Sequence, residues 1–304
     1  MNLAQYKKSI TSQDGEDGIL EYLINNFQIN RSLVEIGSHN GVWLSNTFNL
    51  WKNHLFNGLL IEYNLESFQE LKNNFKYLKN LKFVNSKVMP NGEFSIDNIC
   101  YQNDFTNRPG VLSIDASMLF CEKPFSYDYH IFKNMINLKP QIILVNHSYN
   151  IPPHLDYHEP EDDSFHLLGA SVKSLQKMAK KKNYKLIFCT SVNSIYVDNS
   201  LSKNFPDLEA IDLFNYHNKE NLSENEFYFI SNSHHRCAYY TKNVSFYKKT
   251  MAKILRVQHN YFNFGCEKVK VGGFPKTKKK IVYILRPVPK FYKEHMKKFN
   301  FYPI

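Results

Sequence analysis

The chain has 304 residues, 43% of them hydrophobic, and a formal net charge of +10. This hydrophobic content excludes a disordered chain, and the length allows one large core or two domains of about 150 residues each. The positive charge is typical of proteins that meet phosphates, nucleotides or an acidic membrane surface.

Cysteine usage and apolar runs indicate the compartment. The five cysteines are widely spaced and none forms a Cys-x-x-Cys pair, which favours reduced thiols over a disulfide framework or a zinc ribbon. The N-terminal segment lacks the apolar core of a signal peptide, and no stretch reaches the roughly 18 apolar residues of a membrane span. We therefore expect a cytoplasmic protein, with at most peripheral contact with the inner face of a membrane.

Helix and strand patterns alternate along the first 200 residues. Apolar spacing predicts helices at 18–29, 47–54, 68–78, 129–136 and 171–182. Short apolar runs predict strands at 32–36, 58–62, 81–84, 110–115, 141–145, 184–189 and 194–197. This alternation is typical of a doubly wound parallel α/β sheet, here with seven strands that end in an antiparallel hairpin. We predict a Rossmann-like domain over residues 1–200.

Beyond residue 200 the chain becomes polar, aromatic and basic. We predict a basic C-terminal extension over 201–304, of unknown fold, with a basic amphipathic helix at 245–261. Its lysines and aromatic residues suit either an anionic partner or a solvated face that packs back on the body. No nucleic-acid module precedes them, so a nucleic-acid substrate is not expected. A phosphate-bearing acceptor explains the charge equally well.

The sequence VEIGSHNGVWLSNT at 34–47 joins the first predicted strand to its helix. A glycine turn at this place lets backbone N–H groups approach a ligand, because doubly wound sheets bind ligands at the carboxyl ends of their strands. Gly37 and Gly41 do not have the spacing of a dinucleotide turn. Together with Glu35, and with Glu62 ending the second strand, they favour S-adenosylmethionine, a nucleoside-bearing ligand without a pyrophosphate. The alternative is a tight turn without a ligand.

Six short segments stand in a recognisable order along residues 10–200. They are SQDGEDGIL at 12–20, VEIG…GVWLSNT at 34–47, GLLIE at 58–62, LSID at 112–115, NIPP at 150–153 and GASVKSL at 169–175. Together they resemble FkbM-type S-adenosylmethionine-dependent methyltransferases of the branch associated with surface glycans. The resemblance implies a class I methyltransferase fold and O-methylation of a sugar or related hydroxyl.

The resemblance also implies which residues hold the cofactor. Residues 12–17 either cap the first helix or cover the methionine moiety or the acceptor. An acid between strands three and four meets the adenine amino group, and Asp97 is the candidate, with an exposed loop acid as the alternative. No metal is predicted. The expected cofactor contacts are Gln13, Glu16, Asp17, Glu35, Gly37, Asn40, Gly41, Ser45, Asn46, Glu62 and Asp97.

The chain departs from this family after strands four and five. Asp115 is present, but the acids that follow it in the family are missing, and Asn146 stands where the family has a glutamate. Methyl transfer to a hydroxyl requires the loss of a proton, so Asp115 and His147, both expected at strand ends, are the catalytic candidates. An imidazole is partly neutral at pH 7 and accepts a proton. The alternatives are a helix cap for Asp115 and a surface-loop histidine for His147.

Two further segments contain histidines beside other metal-binding residue types, HLDYHEPEDD at 154–163 and HHRC at 234–237. We interpret both as polar loops, the first of them covering the substrate.

The sequence as a whole predicts an O-methyltransferase for a sugar of a surface or capsule polysaccharide, or for its nucleotide- or lipid-linked precursor. One alternative is a transferase on the same fold with a nucleotide-activated donor. The other is a non-catalytic family member that acts as a binding partner. The sequence leaves the oligomeric state open.

Overall fold

The computed structural model describes residues 2–118, 125–148, 156, 158 and 169–207, together with the backbone of four strands between 228 and 286. The chain forms two compact units, one of residues 1–148 and 158–218 and one of residues 149–157 and 219–304. The predicted domain boundary near residue 200 stays a prediction.

The first unit alternates helices and strands. Its helices are α1 (Glu16–Asn26), α2 (Phe48–Asn53), α3 (Leu65–Phe75), α4 (Ile96–Gln102), α5 (Asp128–Asn134), α6 (Val172–Lys181) and α7 (Asn199–Ser202), preceded by a 3-10 turn at Leu3–Tyr6. Its strands are β1 (Ser32–Ile36), β2 (Asn57–Glu62), β3 (Leu81–Asn85), β4 (Val111–Ile114), β5 (Ser117–Met118), β6 (Phe125–Ser126), β7 (Ile142–Asn146), β8 (Tyr184–Cys189) and β9 (Asn193–Asp198). Every strand and helix predicted over 1–200 is present, with ends that differ by a few residues.

Seven of these strands form one sheet in the order β3-β2-β1-β4-β7-β9-β8. All neighbours are parallel except β9, which runs antiparallel to both β7 and β8. The predicted seven-stranded Rossmann-like fold is therefore confirmed, and so is the closing antiparallel hairpin. The strands β1, β4 and β7 lie in the middle and are buried along nearly their whole length, as expected for the central strands of a doubly wound sheet.

An aromatic cluster packs α2 against α3. The Trp51 ring is fully buried and meets the rings of Phe48 and Phe75 edge-on, with centroids 4.8 and 4.9 Å apart. Edge-to-face pairs at this distance stabilise a core beyond the area that they bury. The cluster holds α2 and α3 against each other.

Helix α4 was not predicted. It is short, and Ser95 caps it by accepting the backbone N–H of Asn98 at 3.4 Å. Ile96, Ile99 and Cys100 form its buried face. Seven residues give too few turns for a helical period to stand out from a loop.

The second unit contains two antiparallel strand pairs in its described part. One joins β10 (Tyr228–Ser231) to β11 (Cys237–Tyr240), and the other joins β12 (Gly265–Lys270) to β13 (Ile281–Arg286). The predicted helix at 245–261 and the lysine-rich runs after residue 275 lie outside the described residues. Within the described part of the chain, no helix has the length and apolarity needed to cross a bilayer.

Candidate functional site

A cavity of about 310 Å³ opens where β1, β2, β3 and β4 end. Its walls come from the segments that follow these strands, at 36–44, 61–67, 86–88 and 115–117. Ligands of doubly wound sheets bind at this edge, and the volume falls at the lower end of the range for small-molecule pockets. The cavity is therefore the candidate functional site.

Three of the predicted residues, Gly37, Glu62 and Asp115, line the cavity. Gly37 has a φ of +80°, and a Cβ built there would lie 2.1 Å from the Asp115 carbonyl oxygen. Only glycine allows the backbones after β1 and β4 to approach so closely. The glycine turn thus shapes the floor of the cavity.

Glu62 presents a carboxylate from the end of β2. One oxygen accepts the backbone N–H of His39 at 2.7 Å, and the other accepts that of Asn64 at 2.6 Å. The residue is only 6% exposed. A carboxylate has about four lone-pair positions, so two amide donors leave acceptor capacity for a ligand hydroxyl.

Asp115 follows β4 and is exposed at the cavity wall. The walls of the cleft remove hydration from its carboxylate, and the carboxylate of Asp128 lies near it, so the pKa of Asp115 is raised above its ordinary value. A hydrogen bond from the backbone N–H of Ser117 acts in the opposite direction. The result is a stronger base than an ordinary aspartate.

Glu35 lies below the cavity and does not line it. Its buried carboxylate accepts the Ser45 hydroxyl at 2.8 Å, the Thr47 hydroxyl at 2.8 Å and the Asn46 backbone N–H at 2.9 Å. Burial raises the pKa of Glu35 to about 7, although these hydrogen bonds lower it. Asn46 also donates its side-chain amide to the Ser113 hydroxyl at 3.1 Å. These contacts give Glu35, Ser45 and Asn46 a role in holding the 37–47 turn; their contact with a cofactor stays a prediction.

Asn40 and Gly41 shape the same turn. The Asn40 side-chain oxygen accepts the backbone N–H of Trp43 at 2.9 Å, and the Trp43 ring lies 4.8 Å from that of His39. Gly41 has a φ of +86°, and a Cβ there would lie 2.6 Å from a methyl group of Leu71. The turn therefore packs tightly on α3 and holds the Trp43 side chain, 55% exposed, at the cavity.

Residues 12–17 form an anchored corner before α1. One oxygen of Asp17 accepts the backbone N–H groups of Ile10, Thr11 and Ser12 at 2.7 to 2.8 Å. Glu16, the second predicted acid of this segment, accepts the hydroxyl of Thr190 and the side-chain amide of Asn193. Both acids also stand in the first turn of α1, where the helix dipole favours them.

The carboxylates of Glu16 and Asp17 thus accept hydrogen bonds from other residues of the protein. Gln13 is exposed, and none of Gln13, Glu16 and Asp17 lines the cavity. The two acids lie in the first turn of α1, whose N-cap is Gly15, and neither makes a side-chain cap for that helix. Their contact with a cofactor stays a prediction.

Removing the Asp17 carboxylate will destabilise the first unit. We expect Asp17→Ala to lower the free energy of unfolding by about 3 kcal/mol, because three backbone N–H groups, that of Ser12 buried, lose a charged acceptor together. Urea unfolding followed by circular dichroism measures the loss. Gln13→Ala in the same corner is the control and should change stability by less than about 0.5 kcal/mol. Equal effects of the two substitutions would contradict the anchoring role.

Asp97 lies in the first turn of α4, away from the cavity lining. Its carboxylate accepts the backbone N–H groups of Ile136, Asn137 and Leu138 at 2.7 to 3.2 Å. It therefore ties α4 to the segment that follows α5. This geometry gives no support to the predicted adenine contact, since the carboxylate is occupied by backbone donors.

His147 follows β7 but is buried, with 1% exposure, and does not line the cavity. Its Nδ1 lies 2.9 Å from the Ser194 hydroxyl, and its backbone N–H donates to the Val192 carbonyl at 2.8 Å. Burial lowers the pKa of the imidazole to about 3, so the ring is neutral at pH 7. The ring is thus a core histidine that bridges β7 and β9, which differs from both the catalytic and the surface-loop expectations.

The cavity also contains residues that were not predicted. His39, Trp43 and Leu44 come from the turn after β1, Tyr63 and Asn64 follow β2, and Lys87 follows β3. Side chains just after parallel strands meet at one edge of the sheet, and this rule predicted the place of Asp115. The same rule, applied to the end of β3, would have identified Lys87.

Metal binding finds no support among the described residues, which contain no group of three or more potential ligands. Most of the 154–163 segment and residues 234–236 lie outside them. His158 is described, and its ring stacks on Tyr129 at 4.0 Å while its Nδ1 lies 3.0 Å from the Ser174 hydroxyl.

The residues around the cavity fit S-adenosylmethionine. Glu62 offers acceptor capacity for ribose hydroxyls, and two carboxylates, Glu62 and Asp115, suit a cationic sulfonium. The Nδ1 atom of His39 in the cavity wall is buried and has no hydrogen-bond partner among the described residues. A buried polar atom without a protein partner at a cavity indicates a ligand or an ordered water.

Among known proteins, solved structures resemble this chain. No protein-family model matches the sequence, and no curated protein matches it. A SAM dependent methyltransferase from Aquifex aeolicus is 10% identical over 58% of this chain and 87% of that chain, with a TM-score of 0.32. The N-terminal domain of EvdMO1 with SAH bound is 12% identical over 62% of this chain and 82% of that chain, with a TM-score of 0.40.

The CMeT domain of the citrinin polyketide synthase is also similar, at 10% identity over 60% of this chain and with a TM-score of 0.37. The match spans 50% of that domain's length. Because all three TM-scores are below 0.5, we base the function on the geometry of the site itself.

Proposed function

We propose that this protein is an S-adenosylmethionine-dependent methyltransferase of the FkbM type that methylates a hydroxyl group. The observation that carries the proposal is Glu62, a buried carboxylate presented from the end of β2 into the cavity that the Gly37 turn forms. Hydroxyl-bearing nucleosides need an acceptor at this place in a doubly wound sheet. The absence of a dinucleotide glycine pattern argues against a pyrophosphate.

The charges of the cavity support the same donor. The lining contains two acidic residues, Glu62 and Asp115, and one basic residue, Lys87. Carboxylates beside the donor stabilise a cationic group such as its sulfonium. When bound, the donor supplies an electrophilic methyl group. The protein orients the acceptor and removes its proton, which the carboxylate of Asp115 is placed to accept.

We further propose a sugar of a surface glycan, or its phosphate-bearing precursor, as the acceptor. Trp43 supports this proposal, because its exposed ring at the cavity offers an apolar face on which the C–H groups of a sugar ring can stack. The net charge of the chain attracts a phosphate-bearing acceptor from solution.

Calorimetric titration with S-adenosylmethionine and S-adenosylhomocysteine tests the cofactor. We expect the wild type to bind both, and Glu62→Gln to bind them roughly ten-fold or more weakly because hydrogen bonds to a charged acceptor are lost. Glu70→Gln, an exposed acid on α3, should bind as the wild type does. If the folded wild type binds neither compound, the proposal is wrong.

A second candidate function is a transferase with a nucleotide-activated donor, and Lys87 favours it. Lys87 lines the cavity, and its ammonium group lies 5.0 Å from the centre of the Tyr127 ring. A lysine beside a ligand cavity can bind a phosphate. A thermal-shift panel separates the two functions. Stabilisation by nucleotides that Lys87→Ala removes, without stabilisation by S-adenosylmethionine, would replace the first proposal with the second.

A further inference from the structure

The chain between β4 and α5 returns to the cavity. After Asp115 it forms the short antiparallel pair of β5 and β6, in which Ser117 lies opposite Ser126. It comes back at Asp128, the first residue of α5. The sequence shows only that the acids following Asp115 in related proteins are missing; the fold brings another acid into the same neighbourhood.

Asp128 is buried behind the cavity wall, with 3% exposure. One carboxylate oxygen accepts the backbone N–H of Ala116 at 2.6 Å. The other accepts the hydroxyls of Ser126, at 3.1 Å, and of Ser117. Since Ala116 and Ser117 line the cavity, a single layer of backbone separates the Asp128 carboxylate from the ligand space.

Ser117 connects the two carboxylates. Its backbone N–H donates to Asp115, and its hydroxyl donates to Asp128. A residue that holds both carboxylates keeps their separation fixed, so the charge on one acts strongly on the other. The two groups are expected to titrate as a pair.

We propose that Asp128 is a positioning residue for Asp115: it binds Ala116 and Ser117, the residues that follow Asp115, and so holds the Asp115 carboxylate where it accepts the proton of the acceptor hydroxyl. This inference rests on the proposed function. In the step, the O–H bond of the acceptor breaks, its electron pair stays on oxygen for the new C–O bond, and the proton moves to the Asp115 carboxylate. An isolated aspartate with a pKa near 4 is a weak base for a hydroxyl, and a general base works best when its pKa lies near the operating pH.

Other charged groups also face Asp115. Glu35 of β1 and Glu62 of β2 add to the effect of Asp128 and raise its pKa further, although less strongly. Lys87, after β3, belongs to the same cavity lining. Asp128 has the largest effect among the carboxylates, so it is the one whose neutralisation should change Asp115 most.

Carbon NMR of protein labelled at the aspartate carboxyl carbons tests the pair. Asp115→Asn and Asp128→Asn assign the two signals by their loss. We expect the Asp115 signal of the wild type to titrate above the ordinary value of about 4, and Asp128→Asn to lower this midpoint by about one pH unit or more. Asparagine has the shape of aspartate and can keep the bond from Ala116. Asp97→Asn, which removes a structural carboxylate outside the cavity, should leave the midpoint unchanged.

An unchanged Asp115 midpoint in folded Asp128→Asn protein overturns the inference, because a purely structural carboxylate would give that result. The wild type alone also provides a test if the variant does not fold. In a coupled pair the Asp128 signal must shift over the pH range in which Asp115 titrates, and a flat Asp128 signal overturns the inference. The titration needs no donor or acceptor. Failure of the binding titrations would therefore count against the proposed function alone, whereas failure here counts against the role of Asp128.

Discussion

Replacing Gly37 with alanine is expected to lower the free energy of unfolding by about 3 kcal/mol or more and to abolish ligand binding. The left-handed φ of +80° costs an L-residue about 1 to 2 kcal/mol. The added methyl group would also lie 2.1 Å from the Asp115 carbonyl oxygen, which is backbone and cannot rotate away. This clash is relieved only if the ends of β1 and β4 move apart. Such a movement opens the floor of the cavity and forces the displaced strand ends against the neighbouring core.

The control for this prediction is Gly92→Ala. Gly92 has the same φ of +80°, but a Cβ there meets nothing within 4 Å. It should therefore show the conformational cost alone, about 1 to 2 kcal/mol, and keep full ligand binding. Urea unfolding and calorimetric binding measure both properties. If the two alanine variants lose similar stability, the close approach of β1 and β4 is not what requires Gly37.

His147, whose pKa is lowered to about 3, favours rising stability as the pH rises toward its ordinary value of 6.5. Glu35 acts in the opposite direction between about pH 4.5 and pH 7. Its folded pKa of about 7 exceeds its ordinary value of 4.5, so between these values the folded state holds a proton that the unfolded state has lost. The contribution of Glu35 to stability therefore decreases with rising pH in this window. A shift of this size corresponds to roughly 3 kcal/mol of lost stabilisation above pH 7.

Glu35→Gln should remove this contribution. A neutral amide at position 35 can still meet the hydroxyls of Ser45 and Thr47, but it takes up no proton. Midpoints of thermal unfolding measured from pH 5 to pH 8 should fall less, or rise more, with pH in the variant than in the wild type. Glu70→Gln on the exposed face of α3 should show the wild-type slope. A Glu35→Gln variant with the wild-type slope would show that Glu35 makes no such contribution.

The sequence predicted the sheet well because each strand is a local feature. The runs at 32–36 and 58–62 are apolar, short and bounded by polar or turn residues, and these properties do not depend on the rest of the fold. The position of β9 between β7 and β8 could not be predicted, because it depends on pairing between segments that are far apart in the chain. Helix α4 was missed because its apolar face is too short to show a period.

The sequence predicted those site residues whose place depends only on their position along a strand. Gly37, Glu62 and Asp115 each lie at or just after the end of a parallel strand, and all three line the cavity. Glu35 does not, because the turn folds back and places the hydroxyls of Ser45 and Thr47 over its carboxylate. Such contacts depend on loop conformation, which the residue types alone do not determine.

The same limit explains why the role of Asp128 was not visible in the sequence. Its carboxylate meets the segment after Asp115 only because β5 and β6 pair, and neither strand is long enough to be recognised from its pattern. His147 was misplaced for a related reason. A histidine that follows a buried strand can turn toward the ligand or toward the core, and here its ring packs beside Ser194 of β9.

The position of β9 between β7 and β8 also affects the order in which this sheet can fold during synthesis on the ribosome. Among the strands of the sheet, β8 pairs with β9 alone, and β9 completes the open side of β7. The first helix is bound to the same hairpin, since Glu16 holds Thr190 and Asn193. A nascent chain therefore keeps an unpaired β7 edge, and lacks the bonds of Glu16 to this hairpin, until residue 198 has emerged. An unpaired strand edge favours aggregation during that interval.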